Sequence, residues 1–215
     1  MDREAFLQNI ADRLNRPRQT APPVREVRGV PAFYREKPFG EANAADQVER
    51  FRAELTALGG DVDVVDSMDQ VAEVIQRLLA ETQPQTVVTW HRDAFRGWEL
   101  AALWSQGTVH ADPMAPDFME KAKTADIGIT AVRYAIANTG TLILSTTAKQ
   151  PRVVSLLPAV HVALVKESQI VSRMGEAFTP LTEGEGRGIP SSVHFITGPS
   201  RSSDIENDLS IGVHG

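Results

Sequence analysis

Apolar residues recur at every third and fourth position in some stretches of this chain and crowd into short runs in others. The two patterns alternate along its first half. Phe6, Leu7, Ile10 and Leu14 fall on one face of a helix over residues 2–15. Val48, Phe51, Leu55 and Leu58 step by three and four from near Asn43, and Gly59-Gly60 closes that helix. "DVDVV" (61–65) then alternates as a strand does. Ser67 and Gln70 form a capping-box pattern ahead of Val71, Val74, Ile75 and Leu78, which predicts the second helix of the part that begins near Asn43. "TVVTW" (86–90) is a short apolar strand, and "FRGWELAALWSQ" (95–106) reads as a third helix.

The second half is richer in strands. "ADIGIT" (125–130), "YAIA" (134–137), "TLILS" (141–145), "HVALVK" (161–166) and "SVHFITG" (192–198) are all short and apolar. Alternating helices and strands favour a parallel sheet covered by helices, whereas the short links around Arg133 and Asn138–Gly140 suggest antiparallel hairpins added to it. Between Arg16 and Gly40 the periodicity dissolves among Pro17, Pro22, Pro23, Pro31 and Pro38. Arg13, Arg16, Arg18, Arg25, Arg28, Arg35 and Lys37 make that stretch locally basic, as a solvated arm or one that docks on an acidic partner. The division expected is therefore a helix and arm over 1–43 and an α/β domain over 44–215.

Composition narrows the function more than the fold. A chain of 215 residues can bury a sizeable core, and 42% hydrophobic with 23% charged residues is ordinary for a globular protein. The net charge of -6 argues against a general nucleic-acid binder, which needs a basic face. There is no cysteine, so the chain has no disulfide, no thiol nucleophile and no thiolate for an iron–sulfur cluster or a Cys-type zinc site. No apolar run approaches the roughly 20 residues of a membrane span, and the start "MDREAFLQNIADRL" lacks the pattern of a secretory signal. The sequence predicts a cytoplasmic protein with no cofactor and no metal of its own.

Two glycine turns are the candidates for chemistry. Asn138-Thr-Gly140 suits a tight turn, because Asn and Gly tolerate positive φ. Thr139 and Thr141 add hydroxyls, Gly140 lets a ligand approach the backbone, and Arg152 offers a cationic fork for carboxylate or phosphate. The second turn opens "GPSRSSDIENDLSIGVHG" (198–215), where a strand stops at Gly198-Pro199. Ser203 and Glu206 predict a capped helix near Ser203, with Ser200 and Arg201 at the turn. Asp204 and Glu206 would already satisfy that helix dipole and repel an anion, so the turn alone is a structural feature. His91, His110, His161, His194 and His214 show no metal-binding spacing; the first four read as packed, hydrogen-bonded residues. His214, between glycines, is the weak catalytic candidate. "TEGEGRG" (182–188) reads as a mobile loop. P-loop, G-x-S-x-G and G-x-G-x-x-G patterns are absent.

"ADIGIT…YAIANTGTLILS", "RVVSLLPAVHVALV" and "TGPSRSSDIENDLSIGVHG", in that order, resemble the LUD-domain family, the lactate utilization protein C group. The resemblance covers most of residues 44–215. It implies an α/β fold similar to the NagB/RpiA/CoA-transferase-like group: three layers, α/β/α, with a mainly parallel sheet and hairpin additions. It also implies a place in a three-protein system that oxidises L-lactate to pyruvate, in which cysteine-rich and iron–sulfur sister subunits carry the redox centres. The lack of cysteine here agrees with that division of labour. Many family members have Glu where this chain has Asn138, and an Asn cannot take a proton or form an acyl anhydride. The expectation is therefore a non-redox subunit that binds a small anion at Asn138, Thr139, Gly140, Thr141, Arg152, Gly198, Ser200 and Arg201. The alternative is a stand-alone enzyme acting on a phosphorylated sugar, an acyl-CoA or a folate.

Overall fold

The computed structural model describes residues 2–17, 43–183, 192–199, 201–203 and 209–211. The chain divides into two compact units, residues 1–40 and 41–215. In the first, α1 (Arg3–Arg13) is the helix expected from its apolar spacing, and Phe6, Leu7, Ile10 and Leu14 are exposed on it. The basic residues of the connector, from Arg18 to Lys37, lie outside the described residues.

The second unit begins with α2 (Ala44–Ala57). The Asn43 side chain caps it by accepting from the Asp46 backbone N–H at 2.8 Å. Phe51 is its buried residue. Next comes α3 (Met68–Thr82), capped by Ser67 and buried through Ile75 and Leu79. The Ser67–Gln70 pattern does what its spacing foretold: the Gln70 N–H donates to Ser67 Oγ at 3.3 Å. The Gln70 side chain meanwhile accepts from the Asp66 backbone at 2.8 Å.

Four strands form the parallel sheet: β1 (Val87–Thr89), β2 (Val109–His110), β3 (Ile127–Ala131) and β6 (Val160–Leu164), in the order β2-β1-β3-β6. Every residue of β1 and β3 is buried, as strands covered on both faces must be. Short helices α4 (Ala101–Trp104), α5 (Phe118–Lys123) and α6 (Val153–Leu156) contribute Leu103, Phe118, Ala122 and Val154 to the same core. Burying one side chain the size of Ile129 stabilises the fold by about 1.5–3 kcal/mol.

A second sheet has the order β7-β4-β5-β8: β4 (Tyr134–Ile136), β5 (Thr141–Ser145), β7 (Ile170–Val171) and β8 (Val193–Ile196). β5 runs antiparallel to both β4 and β8, so Asn138–Gly140 is indeed a hairpin turn. The helix α7 (Met174–Glu183) lies against β4 and β7. β9 (Arg201–Ser203) and β10 (Leu209–Ile211) form a separate antiparallel pair.

Three sequence expectations differ from this. "DVDVV" joins no ladder; it runs along α3, with Asp63 to Arg77 at 3.3 Å, so a helix rather than a strand is its neighbour. The helix expected over 95–106 shrinks to Ala101–Trp104, because Gly97 takes φ 76° and a 3-10 turn occupies Arg92–Phe95. The link at Arg133 is no hairpin: it carries the chain from β3 in one sheet to β4 in the other. Ser203 ends β9 opposite Leu209, and the helix expected to start near it falls on residues 204–208, outside the described residues. The loop read at 182–188 begins within α7, and residues 184–191 lie outside the described residues.

Candidate functional site

The Asn138–Thr141 and Thr197–Gly198 turns meet. Pairing of β5 with β8 sets Leu142 opposite Ile196, so the residues just before the one and just after the other are neighbours. Thr139 Oγ1 lies 2.6 Å from Thr141 Oγ1, which in turn lies 2.9 Å from Thr197 Oγ1. Thr141 is buried, so this hydroxyl ladder satisfies it without water. Gly140 has φ 59° and Gly198 has φ 76°.

Helix α2 sits over both glycines. A Cβ on Gly140 would come within 2.6 Å of the Leu55 nitrogen and 2.8 Å of its Cα. One on Gly198 would lie 2.9 Å from the Leu58 Cβ. The missing side chains thus let the last turns of α2 settle on the sheet, and the room they leave is filled by α2. Of the first turn, Thr139 is exposed and Asn138 half-buried, with its N–H donated to the Ser172 carbonyl at 3.3 Å. Gln47, from α2, donates to Ser172 Oγ at 3.1 Å and closes the same corner.

Arg152 stands elsewhere. The hairpin turn precedes β5, whereas Arg152 follows it, at the far end of a five-residue strand about 14–17 Å long. There the chain folds over the carboxyl end of β1. The Trp90 indole donates to the Pro151 carbonyl at 3.1 Å, and the His91 N–H to the Lys149 carbonyl at 3.0 Å. Arg152 is exposed next to this seam. Ser200 and His214 lie outside the described residues, and Arg201 is described only as the first residue of β9.

The carboxyl end of the parallel sheet holds charged groups that the sequence pattern did not single out. Crevices beyond the carboxyl ends of parallel strands are where open α/β sheets bind ligands. Here Asp93 accepts from Lys149 Nζ at 2.7 Å and from Arg96 at 3.5 Å, and His91 Nδ1 lies 3.2 Å from its Oδ2. The Lys149 hydrogen bond holds the Asp93 carboxyl below the ordinary carboxylate range, with the Lys149, His91 and Arg96 charges adding to it. Lys166, just past β6, lies 5.2 Å over the Trp98 ring, and Arg92 lies 5.6 Å over that of Trp104. Cations outnumber carboxylates at this end, and lysine and arginine heads of this kind suit a small carboxylate or phosphate. A spacing signal existed in "WHRDAFRGW", but the 149–152 half of the cluster is joined only by the fold.

His161 and His194 are packed and hydrogen-bonded as expected: His161 Nε2 is 2.9 Å from Thr130 Oγ1, and His194 Nε2 is 2.7 Å from Ser192 Oγ. Burial pushes the His161 pKa down to about 4. Burial, and then the Lys121 charge, lowers that of His110. An open groove of about 460 Å³ runs along α3 beside Val64 and Asp66, and no candidate residue is among those lining it. Among the described residues, no group of three His, Asp or Glu is placed to hold a metal ion.

A family model described as the LUD domain matches residues 48–215. The chain belongs to the LUD-domain family. It is 34% identical to the lactate utilization protein C of Halalkalibacterium halodurans, over 99% of this chain and 93% of that protein. It is 32% identical to the protein of the same name from Shouchella clausii, over 100% of this chain and 93% of that one. Among solved structures, it is similar to a DUF162 family protein from Deinococcus radiodurans, with a TM-score of 0.56 and 23% identity. That match covers 72% of this chain and 88% of the other. The LUD fold here is accordingly the mixed α/β arrangement described above, and the relatives support a role in lactate utilization.

Proposed function

We propose that this LUD-domain chain is the non-redox subunit of a multi-protein system that oxidises L-lactate to pyruvate, binding a small anion and iron–sulfur sister subunits. One observation carries the reading: the chain matches proteins named lactate utilization protein C along essentially its whole length, yet contains no thiol. Oxidation of a 2-hydroxy acid to a 2-oxo acid releases two electrons, which cysteine-ligated clusters can carry only in another chain. What this chain contributes is charge and position. Lactate and pyruvate are both carboxylates, and Lys149, Arg96 and the nearby Arg152 supply donors for one at the carboxyl end of β1. Thr139, exposed on the hairpin turn, and the neighbouring Asn138 remain a second place for such an anion.

Affinity purification of the tagged full-length chain from lactate-grown cells tests this directly. Two iron–sulfur proteins are expected to come with it, with the visible absorption of their clusters. The Lys149→Ala, Arg152→Ala double variant is expected to keep those partners and lose any stabilisation of the complex by lactate or pyruvate. Recovery of the chain alone, from cells growing on lactate, would overturn the assignment.

A further inference from the structure

Among the described residues, the parallel sheet ends at β6 with nothing paired beyond it. β6 is an edge strand: its even-numbered residues face β3 in the ladder, as when the Val160 N–H donates to the Asp126 carbonyl and Leu164 accepts from the Val132 N–H. The N–H and C=O of His161 and Ala163 therefore point outward, away from β3. Such an edge is normally blunted by charge, by proline inside the strand or by a bulge. This one carries none of them: from Val153 to Val165 there is no Asp, Glu, Lys or Arg. Exposed apolar side chains lie just before the strand and at its start. Leu156, which ends α6, and Leu157, its C-cap, are 52% and 45% exposed, and Val160, at the start of the strand, is 41% exposed.

We infer that β6 pairs with β6 of a second copy of this chain, antiparallel about a two-fold axis through Val162. That register sets Val160 opposite Leu164, His161 opposite Ala163 and Val162 opposite itself, with the five residues of the strand matched from end to end. His161 and Ala163 are then the hydrogen-bonded pair, so each outward N–H and C=O of the two residues finds its complement on the partner. The pairing opposes no like charges, because the segment has none. It makes one eight-stranded sheet from two four-stranded ones and brings the exposed leucines at the end of α6 toward their symmetry mates. The second copy is the occupant the edge fits: an isologous contact needs a self-complementary patch, and a neutral strand that reads apolar at both ends supplies it. A partner recruited by charge finds none between Arg152 and Lys166.

The absence of cysteine makes the test clean. Val162 on the axis is a non-hydrogen-bonded pair, about 4.5 Å between Cα atoms, within the span a disulfide bridges. The full-length Val162→Cys chain under mild oxidation is expected to convert to a disulfide-linked dimer that thiols reverse, while Val64→Cys, exposed on the α3 side, stays unlinked. Sedimentation of the unmodified chain is expected to give twice its 23.5 kDa mass. The Leu156→Lys, Leu157→Lys variant, altered where the single chain is already exposed, is expected to give that mass once, with unchanged circular dichroism. A second break, Val160→Lys, is expected to do the same. An unmodified chain that sediments as a monomer at micromolar concentration would overturn the inference, as would a dimer that Val162→Cys fails to link.

Discussion

Gly140 shows how one residue fixes an element. Its φ of 59° is costly for any residue with a Cβ, and that Cβ would lie 2.6 Å from the backbone of α2. Gly140→Ala is therefore expected to cost about 2–4 kcal/mol, strain and overpacking together, in urea denaturation. Gly107→Ala, with open space around it, is expected to be close to neutral. His161 ties stability to pH. Its folded pKa, about 4, lies below the ordinary 6.5, so the unfolded chain binds the extra proton first. The neutral ring contributes its full share above about pH 6.5 and loses it as the pH falls toward 4, by up to about 3 kcal/mol. Denaturation midpoints of the native chain are expected to drop across that window more steeply than those of His161→Gln.

Among the elements, α2 and α3 were legible because several local signals agree at each end. Asn43 and Ser67 cap them, Gly59-Gly60 stops the first, and the apolar positions between follow the helical period. Asn43→Ala and Ser67→Ala are each expected to lower stability by about 1 kcal/mol, read as a shift in thermal or urea midpoint with an unchanged fold. Where the reading failed, the missing information was the neighbour. "DVDVV" has a strand's alternation and a helix beside it. The helix α7, which begins at Met174, was not anticipated, and its start carries no Ser, Thr, Asp or Asn at the position before it to announce it. The candidate site divides in the same way. The Thr141–Thr197 contact joins two turns that the sequence had paired, whereas Lys149 reaches Asp93 from 56 residues along the chain, and bonds His91 as well. No spacing pattern announces the latter.

At the scale of the whole molecule, the parallel sheet presents two distinct surfaces. Its carboxyl end gathers Lys149, Arg96 and His91 around Asp93, and its β6 edge is neutral and apolar. The first suits a small carboxylate; the second suits another chain. Among the described residues, no helix is long and apolar enough to cross a membrane. Membership of the LUD family and full-length similarity to lactate utilization proteins support a role in lactate utilization. The most direct measurement is growth of a strain lacking only this chain, with L-lactate as the sole carbon source. The proposed role expects no growth on lactate, normal growth on pyruvate, and rescue by the restored gene. Normal growth of the deletion strain on lactate would contradict it.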